Sequence, residues 1–379
     1  MANIQTSITG NGDNLKTLVV VFLRGGADGL NMVAPAHDDG YHRARPRIAI
    51  KDTDTGAAKL HDGFVLNPIL KDLAAPYRDG ALAVVHAVGS EDTTRSHFEA
   101  QDLMERAGDV AGGWLGRYLR FRGAPISSAL SAIAVSRALP ESLRGAPSAT
   151  VMRSLEDFTL GKGGGPLQDS LKKLYAKEHD ALGDSARDTL EALDRIENLR
   201  KATYSPAHGA SYENDDFSQG MKQVARLVKA RVGLEAVSLD IGGWDSHITQ
   251  SAIMDPQMRR LNGGLSAFYR DMGKTMANVT VVVMTEFGRR LGENSAFGTD
   301  HGRGSVMFLM GGGVKGGRVL GEWPGLTKEV LEGPGDLPVK TNYRNVLAPI
   351  LQRHSPQVDL AKVFPPNLEF ELKPQAVYG

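Results

Sequence analysis

Six short apolar segments, separated by longer polar or amphipathic stretches, set the strongest limit on how this chain can fold. They are KTLVVVFL at 16–23, ALAVVHAV at 81–88, LSAIAVS at 130–136, LEAVSLD at 234–240, VTVVVM at 279–284 and VMFLM at 306–310. Runs of this length that are rich in β-branched residues are typical of strands buried on both faces. The pattern therefore predicts an α/β fold with a mostly parallel central sheet.

The region 155–232 has a different character. It opens with the flexible stretch GKGGGP at 161–166 and continues with a charged segment in which leucines are spaced as in a helix. Apolar side chains then recur at helical spacing, at Phe217, Met221, Val224 and Val228. We expect a helical insertion, packed beside the sheet or over its edge, within a single domain that spans 1–379.

Charge and cysteine content exclude several classes of function. Lys plus Arg and Asp plus Glu both number 44, so the chain has no overall field for nucleic acid or an anionic membrane. No apolar run approaches the roughly 20 residues that span a bilayer. The sequence has no cysteine, which excludes disulfides, thiolate metal sites and a cysteine nucleophile. Any metal must be held by His, Asp, Glu or backbone oxygen.

Four of the predicted strands run directly into polar loops, which read RGGADGLN, GSEDTTRSHFEAQ, IGGWDSH and TEFGRR. In open α/β sheets, ligands bind outside the carboxyl ends of the strands. Asp245 and His247 in IGGWDSH stand two positions apart, so in extended chain both side chains point to the same side. The acidic and histidine residues of these loops predict a polynuclear site at one edge of the sheet.

The stretch GTDHGRG at 298–304 adds Asp300, His301 and Arg303, which a plain turn does not need. It precedes its strand instead of following one. His301 therefore reaches the same edge only if that strand runs antiparallel or if the loop crosses over.

Two of the candidate residues also have purely structural interpretations. Asp28 in GGADG can be a turn residue that tolerates a strained backbone. Ser96 can be the N-cap of a helix, with Glu99 completing a capping box. The second interpretation is compatible with function, because the N-terminus of a helix attracts phosphate or sulfate. Glu286 directly follows an apolar run, and we expect its carboxylate to point into a cleft.

Taken in order, the segments LVVVFLRGGADGLN, AVGSEDTTRSHFEAQ, IGGWDSH, VVVMTEFGRR and GTDHGRGSVMFLMGGGVKGG resemble the bacterial domain-of-unknown-function family numbered 1501. The resemblance covers nearly the whole chain. That family is related in fold to the alkaline phosphatase and sulfatase superfamily. The resemblance implies a three-layer αβα sandwich of the alkaline-phosphatase type, with a site for one or two divalent metal ions.

The resemblance also assigns roles to individual residues. The metal ligands it implies are Asp28, Asp245, His247, Glu286, Asp300 and His301. The implied nucleophile is a hydroxyl, with Ser96 as first choice, Thr94 as second and Thr93 also possible. Apart from the resemblance, Arg95 beside the nucleophile could clamp the oxygens of the ester, and Arg289 or Arg303 could do the same, because a guanidinium fork matches a tetrahedral oxyanion. Where the superfamily has Asp-His after a strand, this chain has Glu286-Phe287, so the metal could be a harder cation than zinc, such as magnesium, manganese or calcium.

The function implied is metal-dependent hydrolysis of a small-molecule phosphate or sulfate ester. Two alternatives are a non-catalytic exported metal-binding protein of the same fold, and a phosphomutase or transferase that uses the same site. Members of the family usually carry a twin-arginine export signal, which implies a periplasmic location, although the opening MANIQTSITGNGDN lacks a hydrophobic signal core. The lack of cysteine also fits an oxidising compartment.

Overall fold

The computed structural model describes residues 16–124, 129–157, 164–178, 180–366 and 370–378. In chain order its strands are β1 (Thr17–Arg24), β2 (Val33–Ala34), β3 (Ala58–Lys59), β4 (Val65–Leu66), β5 (Leu82–Gly89), β6 (Ala132–Val135), β7 (Thr150–Met152), β8 (Ala236–Gly242), β9 (Val279–Thr285), β10 (Ser305–Gly311), β11 (Val319–Leu320) and β12 (Thr341–Asn342). All six strands predicted from the apolar runs are present, within two residues of the expected bounds.

The α-helices are α1 (Gly29–Met32), α2 (Asp39–Ala44), α3 (Ala74–Arg78), α4 (His97–Arg106), α5 (Trp114–Phe121), α6 (Gly164–Tyr175), α7 (Ala181–Lys201), α8 (Asp216–Lys229), α9 (Gln250–Met272), α10 (Tyr343–His354) and α11 (Leu360–Val363). Short 3-10 helices cover His61–Gly63, Pro68–Leu73, Glu141–Leu143, Leu155–Asp157 and Gly273–Asn278. Among the helices described, none combines the length and apolar character needed to cross a membrane.

The central sheet has nine strands in the order β11-β5-β10-β9-β1-β8-β6-β7, with β12 also paired to β5. Every pairing is parallel except those of β10, which runs antiparallel to both β5 and β9. A separate small sheet has the order β2-β4-β3. The prediction of a mostly parallel central sheet is confirmed.

Helices cover both faces of this sheet. Along β1, Val19 and Val21 belong to the hydrophobic core that contains residues of α8 and α9. Leu18 and Val20 point to the opposite face and join the core that contains residues of α5 and α10. This alternation is the normal consequence of the two-residue repeat of a strand. The result is a three-layer αβα arrangement, as expected from the sequence.

Helix α8 forms where the sequence has apolar residues at helical spacing. Asp215 caps it by accepting hydrogen bonds from the backbone N–H groups of Phe217 and Ser218. Its apolar side packs against α9 and the sheet. Residues 158–163 and 179, which the expected insertion includes, lie outside the described residues. The assignment of 155–232 as an insertion stays a prediction.

The antiparallel direction of β10 decides where the GTDHGRG loop lies. Ser305, at the start of β10, pairs with Val88 near the end of β5. The loop that precedes β10 therefore lies at the edge where β5 and β9 end. The requirement that His301 reach this edge through an antiparallel strand is met.

Candidate metal centre

Three side chains from separate loops meet at this edge of the sheet. Nitrogen atoms of His97 and His301 and a carboxylate oxygen of Asp245 all lie within 4.8 Å of one another. His97 is the first residue of α4, after β5; Asp245 follows β8; His301 precedes β10. These residue types and this spacing make the group one that could hold a metal ion.

The local structure of the GGWDSH loop presents Asp245 on the surface of the site. Gly243 turns the chain at φ +86°, a conformation that favours glycine. Beyond it, Trp244 and Ser246 are fully buried, whereas the Asp245 and His247 side chains are 48% and 42% exposed. His247 Nε2 lies 3.2 Å from Asp245 Oδ1. The prediction that these two side chains share one side of the chain is confirmed.

In His97 and His301, the hydrogen bond made by Nδ1 determines that Nε2 is the nitrogen that can bind a metal ion. His97 Nδ1 lies 2.8 Å from Glu286 Oε1, and His301 Nδ1 lies 2.8 Å from the Arg95 carbonyl oxygen. Both oxygens are acceptors, so each Nδ1 carries the proton and each Nε2 of the neutral ring keeps a lone pair. This is the arrangement in which a second partner orients a metal-binding histidine.

His247 stands next to this pair. Its Nε2 lies 2.8 Å from His301 Nε2, and its Nδ1 lies 3.3 Å from Asp300 Oδ1. Asp300 is itself held by Arg290 at 3.2 Å and by Asn294 at 3.3 Å. Two Nε2 lone pairs at this separation repel each other unless a proton or a cation lies between them. Asp300 thus contacts a histidine of the cluster instead of facing the three-residue group.

Each of the two histidine nitrogens lies close enough to Asp245 to share a metal ion with its carboxylate, and the two nitrogens approach different oxygens. His97 Nε2 lies 3.5 Å from Asp245 Oδ2, and His301 Nε2 lies 3.5 Å from Asp245 Oδ1. A tetrahedral ion with ligand distances of about 2.0–2.2 Å separates its ligands by about 3.3–3.6 Å. His97 Nε2 is also buried and has no hydrogen-bond partner among the described residues. An ion would satisfy this nitrogen, so the donor set fits a metal.

Glu286 is buried behind His97. Its Oε1 accepts hydrogen bonds from His97 Nδ1 at 2.8 Å, from Gln101 Nε2 at 2.9 Å and from the Gly25 backbone N–H at 2.9 Å. Burial alone would raise the pKa of the Glu286 carboxyl, but these hydrogen bonds, His97 first among them, lower the pKa below its ordinary value. The carboxylate orients His97, and this oxygen faces N–H donors.

The charge states of the other members suit metal binding at neutral pH. Partial burial raises the pKa of Asp245, but the hydrogen bond and charge of Arg289 outweigh it and lower the pKa overall. Partial burial and then the charge of Arg289 lower the pKa of His301. A carboxylate and a neutral imidazole are the forms in which these groups bind metal ions.

Asp28 is not brought into this group. Its side chain is fully buried in an ion pair with Arg45, whose NH1 and NH2 lie 2.6 Å and 3.1 Å from the two carboxylate oxygens. Gln250 Nε2 donates a further hydrogen bond at 2.8 Å. Both oxygens are therefore occupied by protein donors. The expected ligand from the first strand instead anchors the loops beneath the site.

Arg289 is buried, and its guanidinium donates to backbone carbonyl oxygens of the surrounding loops. It therefore has no pair of N–H groups available to an ester. Its Nε donates to the Gly26 carbonyl at 2.7 Å and its NH1 to the Thr299 carbonyl at 3.0 Å. Its NH2 donates to the Gly25 carbonyl at 2.6 Å and to Asp245 Oδ1 at 2.8 Å. Arg289 thus fixes the position of Asp245.

Arg95 also has protein partners. Its NH1 donates to the His301 carbonyl and its NH2 to the Asp336 carboxylate. Because the Arg95 carbonyl accepts from the His301 ring, this residue holds His301 at both its backbone and its side chain. These contacts compete with any ester oxygen for the two donor nitrogens.

The candidate nucleophiles lie in the segment that leads into His97. Ser96 is the N-cap of α4, and its Oγ accepts from the Glu99 backbone N–H at 3.5 Å, which confirms the cap. The expected capping box is incomplete, because the Ser96 backbone N–H donates to Thr94 Oγ1 at 3.3 Å. Thr94 Oγ1 donates to the Glu99 carboxylate at 2.8 Å. Ser96 and Thr93 are exposed and Thr94 is half-buried. The structure gives Thr94 a carboxylate partner that can accept its proton.

His97 was not among the residues expected from the sequence. The stretch TTRSHFEAQ predicts a helix cap and a nucleophile, and neither role involves the histidine beside the cap. A signal was present, because the residue after an N-cap begins the helix and lies at the same strand edge as the other loops. Such a histidine belongs with the acidic loops when a metal site is considered.

Fold and site together define an α/β protein with a candidate metal centre built from histidine and aspartate. The chain belongs to the family described as "Protein of unknown function (DUF1501)", whose model matches residues 15–366. Among curated proteins, none matches the chain in sequence.

The chain is also similar to solved alkaline phosphatase structures. Two are histidine-substituted mutants of TAB5 alkaline phosphatase with Mg bound in the M3 site, at TM-scores of 0.34 and 0.33 and 9% and 10% sequence identity. A third is alkaline phosphatase from the Antarctic bacterium TAB5, at a TM-score of 0.27 and 8% identity. Each match covers 79% of this chain and 92% of the other. Likeness at this level carries no conclusion about the activity of this chain.

Proposed function

We propose that the protein binds a divalent metal ion through His97, Asp245 and His301 and hydrolyses a phosphate or sulfate ester of a small molecule. One observation carries the proposal. Two histidines have Nδ1 held by an acceptor, and both direct Nε2 towards the same carboxylate. Three protein ligands with an open position are typical of catalytic metal sites, whereas structural sites are closed by four.

The residues around the ligands have distinct tasks in this proposal. When bound, the ion would act as a Lewis acid that neutralises charge on the ester oxygens. Glu286 keeps the His97 ring oriented, and the Arg95 carbonyl does the same for His301. Arg289 holds the carboxylate of Asp245 in place.

The anionic ester would approach the N-terminus of α4, where the positive end of the helix dipole favours negative charge. A hydroxyl of Ser96 or Thr94 would then attack the phosphorus or sulfur atom while the bond to the alcohol oxygen breaks. For Thr94, the Glu99 carboxylate accepts the hydroxyl proton. Water would release the acid from the protein in a second displacement.

The test combines metal content with turnover. The full chain is loaded with zinc or manganese, dialysed, analysed for bound metal, and assayed with an aryl phosphate and an aryl sulfate. We expect bound metal and turnover in the parent protein, and loss of both in His97→Ala and Asp245→Asn. His61→Ala removes an exposed histidine outside the cluster and should change neither.

Two results would contradict the proposal in different ways. A parent protein that binds no metal would refute the metal centre itself. Bound metal without turnover of either ester class would refute the hydrolase and leave a non-catalytic metal-binding protein of the same fold. A periplasmic location is part of the proposal, and fractionation of cells that express the complete gene product tests it.

A further inference from the structure

We infer that the centre takes one divalent ion per chain, because two groups beside the three ligands, the Phe287 ring and the Arg289 guanidinium, offer a second ion no ligand atom. This inference rests on the proposed metal centre and deepens it. Paired catalytic ions lie about 3.5–4 Å apart, so a second ion would have to lie directly beside the first and share its surroundings. The groups that line these surroundings are already committed to other partners.

Phe287 forms an apolar wall behind the ligands. Its ring centroid lies 4.9 Å from that of His97 and 4.9 Å from that of His301. The ring is buried, and it packs so tightly on the neighbouring loop that a Cβ at Gly26 would lie 2.6 Å from it. A phenyl ring offers no ligand atom, so this wall cannot bind a second ion.

Arg289 adds a fixed positive charge on the same side. Its guanidinium is buried and donates to Asp245 Oδ1, the oxygen nearest His247 and His301. It also occupies the carbonyl oxygens of Gly25 and Gly26, which a hard cation could otherwise use as ligands. A second dication at this position could not use these two oxygens as ligands. It would also lie next to the positive charge of Arg289, which is buried and cannot turn into solvent.

The other carboxylates described at this edge also have protein partners, and Asp300 contacts His247, Arg290 and Asn294. Asp28 is neutralised by Arg45 and bonded to Gln250, so neither of its oxygens is open. Glu286 Oε1 faces the N–H groups that orient His97. Two buried guanidinium groups therefore balance two of the carboxylates that a two-ion site would need. Arg289 is a positioning residue, and its positive charge stands where a two-ion site would have the charge of a second metal ion.

The direct test is the number of ions bound by the full chain. Isothermal titration with zinc and with manganese, supported by elemental analysis, should give one equivalent and a single transition. Two equivalents would overturn the inference while leaving the proposed function intact. No binding would overturn the proposed function and this inference with it. The two failures are thus distinguished by one measurement.

A double variant tests Asp28 separately. Asp28→Asn combined with Arg45→Met removes both charges of the pair together, so that no buried charge is left alone. We expect one bound ion with a dissociation constant within threefold of the parent value. Asp245→Asn is the matched substitution at a ligand and should weaken binding more than about tenfold. Loss of the ion from the double variant, with an unchanged circular dichroism spectrum, would identify Asp28 as a ligand and overturn the inference. If the double variant does not fold, the stoichiometry of the parent protein still decides.

Discussion

Substituting Glu286 with glutamine tests whether a buried carboxylate sets the metal affinity through His97. The substitution keeps the size of the side chain. It replaces an acceptor that receives three N–H hydrogen bonds, from His97, Gln101 and Gly25, with an amide that also carries two donors. An amide nitrogen turned towards the His97 ring cannot accept its Nδ1 proton. The amide oxygen can instead take the place of Oε1 and accept all three hydrogen bonds, but without the negative charge that strengthens them.

The size of the effect follows from these contacts. A hydrogen bond to a charged group contributes about 1.5–3 kcal/mol, so the free energy of unfolding should fall by roughly that amount. Loss of the group that orients a metal-binding histidine typically weakens metal affinity by about 10–100-fold. We therefore expect the dissociation constant for zinc to rise by one to two orders of magnitude.

The assay is competition for zinc between the protein and a chelator of known affinity, with chemical unfolding measured on the same samples. Glu105→Gln is the matched control, because Glu105 is also a buried carboxylate, lies on α4 and pairs with Arg24 at 3.2 Å. This control should lose stability while its zinc affinity stays within about threefold of the parent. Equal zinc affinities for the parent and both variants would refute the assignment of Glu286 as the partner of a ligand.

Three further predictions follow from the structure. Ser96→Ala or Thr94→Ala should abolish ester turnover at unchanged metal content, depending on which hydroxyl attacks; if both variants stay active, a covalent step is ruled out. Burial lowers the pKa of His86 from its ordinary value of 6.5 to about 4, so its protonation favours the unfolded chain, and stability should fall by about 3 kcal/mol between pH 6.5 and 4. His86→Leu should remove that part of the loss in urea unfolding at pH 7.5 and 4.5, and an unchanged pH dependence would count against it. Gly25→Ala, at φ +124° with a Cβ 2.7 Å from a backbone nitrogen of the facing loop, should cost more stability and metal affinity than Gly80→Ala, which meets nothing within 4 Å; equal costs would argue against a close approach of the two loops.

The parts of the structure that follow from local regularities were predictable from the sequence. Each apolar run that was predicted to be a strand is one, because burial on both faces requires a continuous apolar run. The alternation that places Asp245 and His247 on one side follows from the two-residue repeat of extended chain. The sequence left two ways for His301 to reach this edge, an antiparallel strand or a crossing loop, and the structure has the antiparallel strand.

The division of labour among the acidic residues was not predictable in the same way. Asp28, Asp245 and Glu286 all follow strands and look equivalent in the sequence. What separates Asp28 from Asp245 is burial and the number of occupied oxygens: Asp28 is buried with both oxygens bonded, whereas Asp245 is 48% exposed and Arg289 bonds its Oδ1. Arg45 reaches Asp28 from the end of a separate helix, and no local pattern marks that pairing. Long-range contacts of this kind appear only once the chain is folded.

The wide separation of the ligands along the chain has a consequence for how the protein is made. His301 follows β1 to β9 in the sequence, so the metal centre cannot close until nearly all of the central sheet has been synthesised. Long stretches of chain must also be closed to bring His97, Asp245 and His301 together, and closing them has an entropic cost. In the folded domain, formation of the sheet has already closed them. An ion captured by three such ligands would therefore prefer the completed domain over any partly folded form. Metal binding would then occur late in biogenesis, after the last strands of the sheet have docked.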